Sequence, residues 1–478
     1  MKNEKKLNVC FYSRDINRDI FGYLGKKLED STISPCYIIQ DDRDYNALEE
    51  QGCKNSSYNL TTYIENNWNN VQLLSSIDLA MIEEKYKIES LWSTFYTDRF
   101  LFHYPYDDVI KFIKLHIAFY LDIIEKEAIN IFVYENISHF SAYIFYQIGK
   151  LHNVQYLGFS MARNFSDKKF YFTDDEHSTN YKMNQYYNEK TFSDQELKDA
   201  KQFIDSQRIK KSQPDYMAHF GKEPQINKDF FWSILRYSKS ILMKKNYYNY
   251  MHYREVEPLA AFKYYFKYQI QRLYYKKPIK NDKYYLFPLH FQPEATTLVN
   301  AQNYEKQLCA IDLLAKKIPI DTKLYVKEHY AGLGHREMSF YSKLKQYPNV
   351  RLISPWENAM DLIERSVGVI TLTSTTGWEG IIFKKPVFLL GNMFYSSFKY
   401  INKINNINDL PNQLKNHSLL ELDDESYEEE LILYIASYIK SLKDGGFVAY
   451  SLADLMTEEN LINLYKSFID EVNIIGNE

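Results

Sequence analysis

Leu324-Tyr325-Val326-Lys327-Glu328-His329 and, further on, Val367-Gly368-Val369-Ile370-Thr371-Leu372-Thr373-Ser374-Thr375-Thr376-Gly377-Trp378-Glu379-Gly380 decide how this chain is read. The first is an apolar run of strand length that delivers a lysine and a histidine at its carboxyl end. The second empties into a hydroxyl cluster where a helix should begin. Ser374, Thr375 or Thr376 can cap that helix while free backbone N–H groups face an anion. Glu379 falls in its first turn, and Lys385-Pro386 ends it before a third apolar run, Val387-Phe388-Leu389-Leu390. A cation, a histidine, hydroxyls and a carboxylate around a helix start are what a nucleotide phosphate ester needs, so the block reads as a nucleotide-sugar pocket by type. Lys327 and His329 are expected to contact phosphate. Ser374, Thr375 and Thr376 are phosphate ligands or a plain cap, and Glu379 is a ribose acceptor or a complement to the helix dipole.

Upstream, Tyr284-Tyr285-Leu286-Phe287 opens the sheet that holds these strands, which places a domain boundary near Lys283. A loop over 288–297 follows, then a helix over about 302–317. Glu294 stands at the top of the first strand, where it would orient a donor or move a proton. His290 and Gln292 would touch the sugar, with loop stabilisation as the alternative for all three.

The first part of the chain alternates in the manner of a parallel α/β sheet: a strand over 7–12, a helix over 18–28 and a strand over 36–39. After a less clear stretch over 45–106 come a helix over 107–126, strands over 130–134 and 154–159, and between them a helix over 140–151. Ligands bind outside the carboxyl ends of parallel strands, so Glu135 and His139 should face the first domain's site. They are read as acid/base groups facing the sugar, or as a cap partner and a satisfied first-turn histidine. Arg163 would hold an anionic sugar or acceptor, or be a plain surface arginine.

The 478 residues favour more than one domain. Lys and Arg number 58 against 62 Asp and Glu, for a net charge of -4, which argues against a protein whose whole surface is built for nucleic acid. The four cysteines show no metal or CxxC spacing and suit a reducing compartment. Asp41-Asp42, Asp174-Asp175 and Asp423-Asp424 lack the context of a metal pair, so no metal is expected. The start at Met1-Lys2-Asn3-Glu4-Lys5-Lys6 is basic, but the apolar stretch after it is too short for a signal peptide. Aromatics reach 17%, a figure that an AT-rich coding sequence also explains. Between 229 and 283 twelve basic residues face four acidic ones, interleaved with tyrosines such as Tyr264-Tyr265 and Tyr274-Tyr275. This stretch is a surface for anionic lipid headgroups or a solvated helical linker.

Over 284–391 the chain resembles the bacterial capsule polysaccharide biosynthesis proteins, which include the Kdo transferases of capsule assembly and share the GT-B fold. The resemblance is carried by Lys327-Glu328-His329 at the family's Lys-x-His-Pro position, by Ser374-Thr375-Thr376 with Glu379, by Lys385-Pro386, and by Pro288-Leu289-His290-Phe291-Gln292-Pro293-Glu294. Tyr330 stands where the family has proline, and Ser138 replaces the proline of a Pro-His pair at His139. The resemblance implies an α/β, GT-B-like fold of two Rossmann-type domains facing a central cleft, with a helical insertion. The expected division is an acceptor domain over 1–192, a basic aromatic insertion or linker over 193–283, a donor domain over 284–420, and helices over 421–478, one crossing back to the first domain. It also implies Ser354, with Pro355 and Trp356, as a nucleobase contact. The implied activity is transfer of a CMP-activated acidic sugar, Kdo or a nonulosonic acid, to a glycan or glycolipid acceptor. The nucleotide sugar is co-substrate, and no cofactor or metal is expected. A UDP- or GDP-sugar or polyol-phosphate transferase, and a non-catalytic carbohydrate-assembly protein, are the alternatives. The expected place is the cytoplasm, on or near the inner face of the membrane.

Overall fold

The computed structural model describes residues 7–15, 17–29, 33–53, 56–165, 168–211, 232, 246–251, 260–419, 424–447 and 452–477. Its strands form two separate sheets. In the first, β1 (Leu7–Ser13), β2 (Ile33–Ile39), β3 (Ser57–Asn59), β4 (Ile131–Glu135) and β5 (Gln155–Met161) run parallel in the order β3-β2-β1-β4-β5. β6 (Lys169–Thr173) joins β5 antiparallel. Helices bury both faces of such a sheet, so its central strand is a continuous apolar run rather than an alternating one. Val9, Cys10, Phe11 and Tyr12 of β1 are accordingly all fully buried.

α1 (Asn17–Leu28), α2 (Tyr106–Glu127) and α3 (Phe140–Leu151) belong to the same unit. α2 buries Phe112, His116, Phe119 and Ile123 at helical spacing and stops where Ala128 turns left-handed.

The second sheet is wholly parallel: β7 (Tyr284–Pro288), β8 (Lys323–Lys327), β9 (Val350–Ile353), β10 (Gly368–Thr371), β11 (Val387–Leu389) and β12 (Ile401–Lys403) lie in the order β12-β11-β10-β7-β8-β9. This is the doubly wound Rossmann order, reversing between its first and fourth strands, β7 and β10. With it go α4 (Asp194–Lys210), α5 (Ala260–Gln271), α6 (Thr376–Ile382) and α7 (Asp424–Ser441). A capping box of Ser193 and Glu196 starts α4. Arg208 then locks α4 to α7 by a two-pronged bond to Glu428, at 2.8 and 3.1 Å.

The chain then returns to the first unit. β13 (Lys443–Asp444) pairs antiparallel with β6, and α8 (Glu458–Asn477) sets Phe468 against Phe11 at 5.7 Å. The two compact units are thus Met1–Tyr181 with Lys245–Arg254 and Leu442–Glu478, and Lys182–Lys244 with Glu255–Ser441. This division differs from the sequence boundaries. Helix α4 is part of the second unit rather than of a separate insertion, because its Arg208 and buried Ala200 and Ile204 pack there. Of the twelve basic residues between 229 and 283, Arg236, Lys239, Lys244, Lys245 and Arg254 lie outside the described residues. The expected helix over 302–317 is broken, with a short 3-10 turn at Gln302–Tyr304 before Gln307–Ala315. No helix among the described residues is long and apolar enough to cross a membrane.

Candidate functional site

In a doubly wound sheet, loops leaving two neighbouring strands in opposite directions open a crevice at the point of reversal. In the second unit that point lies between the ends of β7 and β10, which His290 and Thr373 bring together. The Thr373 N–H points at His290 Nε2, 3.5 Å away, and Thr373 Oγ1 donates to the Thr296 carbonyl at 2.7 Å. Gln307 holds the His290 backbone from both sides, accepting its N–H at 2.7 Å and donating to its carbonyl at 3.0 Å. His290 is therefore a buried strut between the two strand ends. Burial, with His329 and Arg336 nearby, pushes its pKa down to about 3, so the ring is neutral.

The hydroxyl run follows directly. Thr371 Oγ1 accepts the Ser374 N–H at 2.9 Å, and Ser374 Oγ accepts the Thr376 N–H at 3.1 Å while pairing with Thr376 Oγ1 at 3.0 Å. Thr373 and Thr376 are buried, whereas Ser374 and Thr375 are half-buried. These last two are the hydroxyls a ligand can meet. Glycine at 377 is required by packing, since a Cβ there would stand 2.4 Å from Tyr395 Oη.

β8 ends at Lys327, and Glu328 and His329 follow it in the loop before the 3-10 turn Tyr330–Gly332. Glu328 is fully enclosed, accepting from Arg336 Nε at 3.0 Å, the His329 N–H at 2.8 Å and Tyr341 Oη at 2.8 Å. It is a framework carboxylate. Lys327 Nζ donates to the Pro355 carbonyl at 2.9 Å, which ties β8 to the turn after β9. Burial lowers its pKa to about 8, against the opposing pull of Glu379, Glu328 and Glu357. His329 Nδ1 accepts the Ala331 N–H at 3.2 Å, so the neutral ring carries its proton on Nε2. Burial holds the His329 pKa down to about 4, with Arg336 and Lys327 adding to the effect and Glu328 opposing it. Glu379 is buried in α6 and its charge is felt by Lys327.

The remaining candidates are placed as follows. Ser354 Oγ accepts the Trp356 N–H at 3.3 Å, and the Trp356 indole nitrogen is buried without a partner. Gln292 spends its amide on the Glu305 carbonyl and on Thr297 Oγ1, which makes it a loop brace. Glu294 precedes the short helix Ala295–Leu298, takes the Thr296 hydroxyl at 3.1 Å, and is only partly buried.

The first unit has its own reversal, between β1 and β4. Glu135 ends β4 and is gripped by Asn17 Nδ2 at 3.0 Å on one oxygen and by Tyr134 Oη at 3.0 Å on the other. His139 caps α3: Nδ1 accepts the Ala142 N–H at 3.3 Å, and Nε2 donates to Tyr134 Oη at 2.9 Å. Burial, then Arg14 and Arg99, drive its pKa well below the usual value. His139 thus sits behind Glu135 in a chain of hydrogen bonds. Arg163 is buried, so the surface-arginine reading does not hold.

The sequence reading passed over Arg14, Asn17 and Tyr134. Arg14 leaves β1 at the point of reversal and acts electrostatically on Glu135. Its signal was positional, a charged residue just past the first strand, and it becomes legible only once β4 is known to neighbour β1.

Two Rossmann-like sheets in one chain, each with a polar cluster where its strand order reverses, define an α/β protein of the GT-B-like class. A family model described as capsule polysaccharide biosynthesis protein matches residues 225–399. Among solved structures it is similar to the KpsC beta Kdo 2,7 transferase of Thermosulfurimonas dismutans, at 12% identity and a TM-score of 0.38, covering 73% of this chain and 89% of that one. The beta Kdo 2,4 transferase of the same KpsC gives the same identity and score, with 93% of its chain covered. The UDP-GlcNAc 2-epimerase of Methanocaldococcus jannaschii gives 13% identity and a TM-score of 0.27, over 86% of this chain and 92% of that one. No curated protein sequence matches.

Proposed function

We propose that the chain is a glycosyltransferase of bacterial surface polysaccharide synthesis, moving a CMP-activated acidic sugar to a glycan or glycolipid acceptor without a metal ion. The observation that carries this reading is that Lys327 and His329, at and just after the end of β8, and Ser374, Thr375 and Glu379, between β10 and the first turn of α6, all follow strands at or next to the reversal point of the second sheet, inside the stretch that matches the family model. A departing nucleoside monophosphate carries negative charge that must be met as it develops. The Lys327 ammonium, the His329 Nε2–H and the half-buried hydroxyls of Ser374 and Thr375 are groups of the right kind, and Glu379 favours the charged lysine.

Ser354 and Trp356, whose indole N–H lacks a protein partner, suit the nucleobase. Glu135 is the candidate base for the acceptor hydroxyl in the first unit, with Asn17, Tyr134 and His139 fixing its carboxylate. The choice of Kdo or a nonulosonic acid rests on the family. Work on a lipid-borne acceptor would place the protein at the inner face of the cytoplasmic membrane.

Donor hydrolysis with CMP-Kdo, a CMP-nonulosonic acid, and UDP- and GDP-sugars tests the reading. Release of CMP alone is expected. Turnover confined to UDP- or GDP-sugars would replace the donor class, and absence of both turnover and nucleotide binding would leave a non-catalytic assembly protein.

A further inference from the structure

Phe266, Ile270 and Leu273 follow one another at helical spacing along α5 and the 3-10 turn Arg272–Tyr274 that extends it. They are 61%, 48% and 78% exposed, which is unusual for three large apolar side chains on one face. Beside them a depression of about 380 Å³ runs between Ile270, Leu273, Leu344 and Val350, with Lys276 and Lys345 also in its lining. Lys263, Arg272, Lys276, Lys277 and Lys280, on α5 or in the segment just after it, are exposed. Among the described residues, Glu337 bonds Lys267 at 3.2 Å and Asp282 bonds Lys323 at 2.7 Å, while Glu255 and Glu257 lie outside the described residues. Neither Glu337 nor Asp282 neutralises the exposed lysines at 276, 277 and 280.

We propose that this face of α5 docks the protein on an anionic phospholipid bilayer, with Phe266, Ile270 and Leu273 entering the headgroup region and the surrounding lysines and Arg272 facing lipid phosphates. An apolar stripe set in basic charge is what such a surface recognises. A protein partner of ordinary composition would not require so one-sided a charge. The proposal deepens the transferase reading by naming the surface that meets a membrane-borne acceptor. Vesicle binding and nucleotide binding are separate measurements, so the two readings can fail independently.

The test is co-sedimentation of the full-length protein with phosphatidylcholine vesicles and with vesicles that also contain phosphatidylglycerol. The wild type should partition onto the anionic vesicles and lose most of that binding at high salt. Phe266→Ser/Leu273→Ser should weaken it by roughly tenfold or more, and Lys276→Glu/Lys277→Glu should do at least as much. Both variants should keep the wild-type melting temperature and nucleotide binding. Equal binding of wild type to neutral and anionic vesicles, or unchanged binding by both variants, would overturn the proposal. So would a concentration-dependent wild-type dimer that Leu273→Ser dissolves, since the face would then belong to a second copy.

Discussion

Lys327 offers a quantitative handle on the proposed phosphate site. Burial takes its ammonium from an ordinary 10.5 to about 8. At about 1.4 kcal/mol per pH unit, holding the protonated form in the folded state costs roughly 3 kcal/mol below pH 8. Because the folded pKa lies below the unfolded one, that cost is fully present below pH 8 and disappears as the pH climbs towards 10.5. Lys327→Met removes it, against the loss of about 1 kcal/mol for the bond to the Pro355 carbonyl and of the cation beside Glu379. The difference in unfolding free energy, wild type minus Lys327→Met, should therefore rise by roughly 2 kcal/mol between pH 7.5 and 9.5. Urea unfolding of both proteins across that range measures it. The same proton governs the ligand: if phosphate binds the ammonium, CMP affinity of the wild type should fall about twentyfold over the same interval, while the variant binds weakly at every pH. A stability difference that stays flat, or CMP affinity that does not change with pH in the wild type, would refute the reasoning.

Other outcomes follow from the same geometry. Glu328→Ala strips a fully enclosed carboxylate from Arg336, Tyr341 and the His329 N–H. It should destabilise the second unit by about 3–5 kcal/mol, visible as a lowered melting temperature, with Glu328→Gln milder. Glu135→Gln should lower the transfer rate by about a hundredfold or more and leave the dissociation constant for CMP unchanged. Tyr134→Phe, which keeps the ring but frees one Glu135 oxygen, should lower the rate less. Gly377→Ala forces a methyl onto Tyr395 Oη and should cost about 1–3 kcal/mol in urea unfolding.

How much of this was legible in the sequence depends on the element. Parallel strands buried on both faces leave continuous apolar runs, so β1, β4, β7, β8, β10 and β11 were all visible. The helix over 140–151 was bounded correctly because its apolar period is strong. β3, β12 and β13 span three, three and two residues and carry no period, so nothing local marked them. Glu328 and His329 are neighbours in sequence, yet Glu328 is enclosed by Arg336 and Tyr341, partners that no local pattern announces. His290 and Gln292 read as sugar contacts because they sit at a strand end, yet His290 Nε2 and the Gln292 amide nitrogen are engaged by Thr373, Thr297 and Glu305, and Gln307 holds the His290 backbone. Those partners lie far along the chain and no local pattern announces them. Arg14 and Asn17 were missed for the same reason, since their meaning comes from the pairing of β1 with β4.

The most direct measurement is isothermal titration of CMP into the wild type and into Ser374→Ala/His329→Ala, at pH 7 and without divalent ions. The account predicts saturable binding by the wild type and at least a hundredfold loss in the double variant, with both proteins melting alike. A wild type that takes up no CMP, or a double variant that binds it as tightly, would contradict the claim that the second sheet's reversal point holds the phosphoryl end of the donor.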